Sequence, residues 1–211
     1  MDETAIETPG PGPLAVIVTG LPATGKTSIA RRIARVHSLP LLTKDEVKEI
    51  LFERLGWGER EWSRRLGRAS SAILLQFLRA HVAAGLPCII ESNFPPEAAP
   101  ELLALLREQP FRPFQVVCRT RGDELYRRFR ARTGRRHPGH GDEQLLEELK
   151  PQLLAARYEP LAIGGVLWEL DTTDWQNLDL PSLHGAIKAA MGQPWPAGHP
   201  KVPGSSIGSE S

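Results

Sequence analysis

The sequence predicts an α/β fold of three layers, with a five-stranded, mostly parallel sheet between two layers of helices. Three observations carry this. Five short apolar runs recur along the 211 residues, each of strand length. Segments of helical period separate them, the order that builds parallel crossover connections. The first run leads into residues 20–27, GLPATGKT, two glycines with four residues between them followed by Lys-Thr.

The elements follow in order. Residues 14–18 (LAVIV) form an apolar, β-branched first strand. After the glycine loop, Ile29, Ala30, Ile33, Ala34 and His37 repeat with helical period. Residues 39–42 make a short second strand, and Thr43 with Glu46 reads as a capping box opening a helix to about Leu55. A stretch with Trp57 and Trp62 leads into a long amphipathic helix ending near Ala84. Its expected apolar face is Leu66, Ile73, Leu74, Phe77, Leu78 and Val82. Strand three covers 86–90, a helix 95–108, strand four 114–118 and a helix 122–132. After a Gly/His/Pro loop come a helix over 142–157, strand five at 166–170 and a last helix over 181–191. Residues 1–13 and 192–211, rich in Pro, Gly and Ser, are expected to be poorly ordered. They flank one domain over 14–191.

Bulk properties exclude several classes. With 26 Lys and Arg against 25 acids, the overall charge gives no reason to expect a nucleic-acid coat or a membrane-surface binder. Cys88 and Cys118 lie in apolar runs and read as small buried hydrophobes of a reducing compartment. The N-terminus is acidic and Pro/Gly-rich, unlike a secretory signal, and no apolar stretch is long enough to span a bilayer. A cytoplasmic protein is expected.

The octapeptide predicts triphosphate binding. Gly20 and Gly25 permit turns that a Cβ would obstruct. Backbone N–H groups across Leu21, Pro22 (which offers none), Ala23, Thr24 and Ser28 then surround an anion, aided by the helix N-terminus. Lys26 reaches the β- and γ-phosphates, and the Thr27 hydroxyl ligates Mg²⁺.

In parallel sheets ligands gather at the carboxyl ends of the strands, so the residues after each strand are candidates. Asp45 follows strand two; it serves the helix dipole, or it accepts the proton of an attacking hydroxyl. Glu46 is expected in the cap, and Glu49 as a solvated partner of lysines. Glu91 follows strand three, as a Mg²⁺-holding carboxylate or a solvent-facing strand end. Ser92 and Asn93 line an acceptor pocket or only form a turn. On the helix over 122–132, Arg128 and Arg132 flank the buried face set by Leu125 and Phe129, whereas Arg127 and Arg130 point away. The first two are candidates to clamp phosphate, the alternative being snorkelling along the core rim. Residues 134–140, GRRHPGH, have the composition of a flap that closes over the triphosphate. A metal site at His137 and His140 lacks a third ligand at the required spacing. Residues 171–173 (DTT) border the nucleotide base or make an Asx turn. The long helix with Trp57, Trp62 and Phe77 is expected to help shape the acceptor pocket, the alternative being that its aromatics belong to the core.

The loop GLPATGKT, the segment TKDEVKE, and ELYRRFRART followed by GRRHPGH resemble the P-loop kinases that phosphorylate non-nucleotide hydroxyls. These include chloramphenicol phosphotransferase, the zeta toxins and polynucleotide 5′-kinases. The resemblance runs from about Leu14 to Thr173 and implies a three-layer αβα P-loop NTPase fold with an arginine-bearing lid over about 119–141. It implies Asp45 as the base, and Arg128 and Arg132 as the lid arginines. ATP and Mg²⁺ are the implied cofactors, and a small-molecule hydroxyl is the acceptor. Glu91-Ser92-Asn93 departs from the Asp-Asp or Asp-x that relatives often place after strand three, so Glu91 is expected to meet the metal through water. A nucleotide switch with water as acceptor, and a nucleic-acid end kinase, are the other readings. The first lacks an evident water-positioning residue, and the second lacks interleaved aromatics.

Overall fold

A computed structural model describes residues 12–95 and 98–192. Most of residues 1–13 and 192–211, expected to be poorly ordered, lies outside the described residues. The exceptions are ordered: the Gly12 and Pro13 carbonyls accept hydrogen bonds from Arg112 at 2.8 and 2.9 Å, and Gly192 ends the last helix.

The strands are β1 (Leu14–Gly20), β2 (Leu41–Thr43), β3 (Cys88–Glu91), β4 (Arg112–Arg119) and β5 (Val166–Asp171). They form one sheet in the order β2-β3-β1-β4-β5, and every pairing is parallel. The helices are α1 (Lys26–His37), α2 (Lys44–Leu55), α3 (Arg60–Ala83), α4 (Ala99–Glu108), α5 (Gly122–Arg132), α6 (Asp142–Ala155) and α7 (Leu180–Gly192).

β1 is central because all seven of its residues are buried. Alternation along it divides the core: Leu14, Val16 and Val18 pack with α1 and α7, whereas Ala15 and Ile17 pack with α3 and α4. β5, at one edge, leaves Val166 and Leu167 exposed. Two helix expectations, one for α3 and one for α4, need correction. Ser70, not Ile73, completes its buried face, and Ile73 is 43% exposed. The Ser70 hydroxyl donates to the Leu66 carbonyl at 2.8 Å, which makes its burial tolerable. Helix α4 begins at Ala99, later than the predicted residue 95. Cys88 and Cys118 are buried as expected, and burial pushes both thiols up to about 12.

A third apolar cluster lies outside the main layers. Leu125 and Phe129 of α5 and Leu153 of α6 enclose Leu21 from the glycine loop. Helices α5 and α6 are thus anchored on the loop itself.

Candidate active site

The carboxyl ends of β1 and β3 place the glycine loop beside Glu91. Gly20 has φ 141°, and a Cβ there would stand 2.5 Å from the Cys118 carbonyl of β4. Gly25 has φ 83°, and Ala23 also takes the left-handed region at φ 67°. These reversals around Thr24 give the loop the kind of backbone that can present N–H groups to an anion at the start of α1, although the Thr24 and Ser28 N–H groups, expected among the donors, donate instead to the Leu21 and Gly25 carbonyls at 3.3 and 3.0 Å. Thr24 closes the loop by donating its hydroxyl to the Leu21 carbonyl at 2.9 Å.

The pocket at this loop has a volume of about 370 Å³. Ala23, Gly25, Lys26, Thr27, Ser28 and Arg128 line it, as do Asp45 and Arg132. Gly20, Leu21, Pro22 and Thr24 do not; they shape the loop from behind, and the Leu21 side chain is in the core.

Glu91 is not a solvent-facing strand end: it is 2% exposed. It accepts a hydrogen bond from the Thr27 hydroxyl at 2.9 Å and lies 3.9 Å from the Lys26 ammonium. Burial pushes its carboxyl up, and Lys26 only partly offsets this.

Asp45 sits in the first turn of α2, behind the Thr43 N-cap. The capping box forms by half. The Glu46 N–H donates to Thr43 Oγ1 at 3.3 Å, while the Glu46 carboxylate pairs with Arg31. Asp45 accepts from the Arg136 guanidinium at 2.7 Å. Burial would raise its carboxyl, but Arg136, Lys26, His140 and Arg132 outweigh that and hold it below the ordinary carboxylate range. Glu49, one turn on, is not a partner of lysines; it accepts from His140 at 2.9 Å. Burial, and after it Arg136, draws the His140 imidazole below its ordinary range, against the opposing pull of Asp45 and Glu49.

The wheel argument for α5 places its arginines correctly. The Arg127 side chain is 69% exposed and that of Arg128 14%. Their partners were not legible. Arg128 donates to the carbonyls of Thr172 and Thr173 at 2.8 and 2.7 Å and to Glu124 at 2.7 Å. Its guanidinium also lies 5.6 Å from the ring centre of Trp175. Arg132 lies 3.0 Å from Asp142, over the Phe129 ring. Residues 171–173 form the Asx turn, with the Thr173 N–H donating to Asp171 at 2.8 Å.

Two residues escaped sequence reading. Trp175 overlies the loop so closely that a Cβ on Gly25 would stand 2.2 Å from its ring. Arg136 was one of several cations in the flap, and nothing in GRRHPGH distinguished it. The flap is anchored on α2: His137 stacks on Phe52, His140 meets the same ring edge-on, and Gly139 lies against its face.

A second, larger cavity of about 970 Å³ adjoins the flap. Lys44, Lys48, Trp57, Ser92 and His140 are among its lining. The long helix α3 lines it, but Trp62, which donates to the Gly56 carbonyl at 3.0 Å, and Phe77, which packs on His81 and against the core, do not. Asn93 is absent from its walls as well. Among the described residues, no three His, Cys, Asp or Glu side chains group as a metal site, and no helix is long and apolar enough to cross a membrane.

An all-parallel sheet, a glycine loop at its central strand and a buried acid beside the loop threonine define the P-loop kinase-like class of α/β proteins. The chain belongs to the AAA domain family, whose model matches residues 16–160. Among solved structures it is 35% identical to a "putative kinase" from Chloroflexus aurantiacus J-10-fl, with a TM-score of 0.75, covering 84% of this chain and 98% of that one. The protein APE1195 is 20% identical, with a TM-score of 0.53 over 87% of this chain and 99% of that one. A sugar kinase from Janibacter sp. HTCC2649 is 18% identical, with a TM-score of 0.50 over 86% and 94%. The last two share the fold alone. No curated protein matches the chain.

Proposed function

We propose that this protein is an ATP-dependent phosphotransferase that moves the γ-phosphate of ATP·Mg²⁺ to a hydroxyl of a small molecule. The observation that carries the reading is the opening of Asp45 onto the same pocket as Lys26 and Thr27. A carboxylate held ionised at that place suits an incoming hydroxyl better than a phosphate, which it would repel. The 970 Å³ cavity, lined by its chain neighbour Lys44 and by Lys48 but not by Asp45 itself, offers space for an acceptor.

The loop amides and the α1 N-terminus hold the triphosphate, with Lys26 against its β- and γ-oxygens. The oxygen donors Thr27 and Glu91, 2.9 Å apart, suit Mg²⁺, which favours few carboxylates, phosphate oxygens and water. When bound, the ion would neutralise charge on those phosphates. Glu91 acts through water in this reading. Asp45 orients the acceptor hydroxyl and takes its proton as the new oxygen–phosphorus bond forms and the bond to ADP breaks. Lys26 and Arg132 stabilise the charge of the transferred group, and Arg128 joins them only by leaving a carbonyl partner. Catalysis is then mainly positioning and electrostatics.

An ADP-release screen over hydroxyl compounds tests the proposal, with Lys26→Ala as the inactive control. Acceptor-stimulated turnover is expected. ATP hydrolysis that no compound accelerates would favour a nucleotide switch instead.

A further inference from the structure

The larger cavity is unequally charged. Six cationic side chains line it, Lys44, Lys48, Arg60, Arg64, Arg68 and Arg79, against one described carboxylate, Glu101. The four arginines are committed to acids outside the cavity wall. Arg60 reaches Glu148, Arg64 and Arg68 share Glu61, and Arg79 reaches Glu108. The two lysines are not. Among the described residues, neither Lys44 nor Lys48 has a carboxylate within ion-pair distance. Their intervening neighbour Asp45 faces the other pocket and is held by Arg136.

Lys44 and Lys48 are four residues apart on α2 and so share a face. Both are drawn below the ordinary lysine range, chiefly by burial. Lys48 donates to Ser63 Oγ at 3.0 Å, and Ser63 donates on to the Gly139 carbonyl of the flap at 2.9 Å. In the same wall, Ser63, Gly67 and Ser71 repeat every fourth residue of α3, and the Lys48 ammonium lies against the first two. This small, polar helix face lets the Lys48 ammonium sit close to α3 at the cavity wall. Half-buried ammonium groups that no carboxylate contacts, and that feel Asp45 only from a distance, are unfavourable, and an anion placed between them reduces that penalty.

We infer that the larger cavity binds a small polyhydroxy anion, a carboxylate or phosphate monoester, whose charged group is held by Lys44 and Lys48, and that this anion is the acceptor, its hydroxyl reaching out of the cavity toward Asp45, the residue beside Lys44. The inference rests on the phosphotransferase reading for the hydroxyl, but not for the anion site. The Lys48–Ser63–Gly139 chain then links anion binding to the flap that carries Arg136.

The test uses the full chain and two matched pairs, gluconate with glucitol and glycerol 3-phosphate with glycerol. Binding is measured by calorimetry with ADP present, and transfer by ADP release from ATP. At least one anion should bind about tenfold or more tighter than its neutral counterpart. Lys44→Ala and Lys48→Ala should each weaken it about five- to twentyfold, leaving ADP affinity within about twofold. The pair that responds distinguishes carboxylate from phosphate. Neutral compounds binding as tightly as anions, unchanged anion affinity in the double variant, or no binding tighter than about 10 mM would each overturn the inference. So would displacement of the anions by a single-stranded oligonucleotide with steep salt dependence. Anion binding without transfer would sustain the site and sink the phosphotransferase reading. Transfer to neutral polyols alone would do the reverse.

Discussion

The guanidinium of Arg136 donates to the carboxylate of Asp45 at 2.7 Å, joining the flap to the first turn of α2 across 91 residues of sequence. The same side chain lies 3.4 Å from Asp142 and 4.0 Å from Glu49. The proposed base is therefore capped by the flap. Asp45→Asn should lower turnover at least about 100-fold while ATP affinity is largely kept; unchanged turnover would sink the assignment.

Arg136 also sets the pH dependence. Because it helps hold the Asp45 carboxyl down, Arg136→Ala should move the acid limb of kcat/KM to higher pH. For stability the sign is that of a depressed acid. The Asp45 contribution is present above its unfolded value near 3.8 and is lost as pH falls through its folded value. Removing Arg136 should shrink that acid-side loss in pH-dependent melting curves.

Glu91 runs the opposite way. Its raised carboxyl means that the folded state holds the proton more tightly than the unfolded chain, so stability falls as pH rises from 4.5 toward the folded value. Glu91→Gln should melt higher at pH 7, by about 2–4 °C for each kcal/mol recovered. It should also lose most Mg²⁺-dependent turnover. A lower melting point would show that the pairing with Lys26 outweighs the burial penalty.

The flap should depend on the space at Gly139. An added Cβ would come within 2.8 Å of the Phe52 ring. Gly139→Ala should destabilise by about 1–3 kcal/mol and detach the histidine contacts. Denaturant titration measures the first effect, and faster amide exchange across residues 134–141 the second.

Trp175 supplies a reporter. It covers Gly25 and lies against Arg128 at the edge of the loop pocket. Trp175→Ala should weaken nucleotide binding about five- to tenfold, the scale of one aromatic contact. The wild-type fluorescence change on adding ATP should diminish in that variant.

The resemblance made the class legible because its signals are local. Strand, glycine loop and helix follow one another in sequence, and Arg128 and Arg132 could be placed from the period of a single helix. The pairings were not legible: Arg128 with the carbonyls after β5, Asp45 with Arg136, and Glu49 with His140 join residues far apart along the chain. Ile73 was misplaced for a related reason. Helical period gives the side of a helix that is apolar, not which neighbours cover its margins.

By itself the sequence determined an α/β sheet with a triphosphate-type loop on its first strand, since short apolar runs and glycine-permitted turns are set by neighbouring residues. Only the tertiary structure decided that Glu91 is buried against Thr27, that the flap meets Asp45 through Arg136, and that Lys44 and Lys48 face a separate cavity. The reason is physical: the environment of a charge is made by whatever the fold brings beside it, and those groups come from every part of the chain.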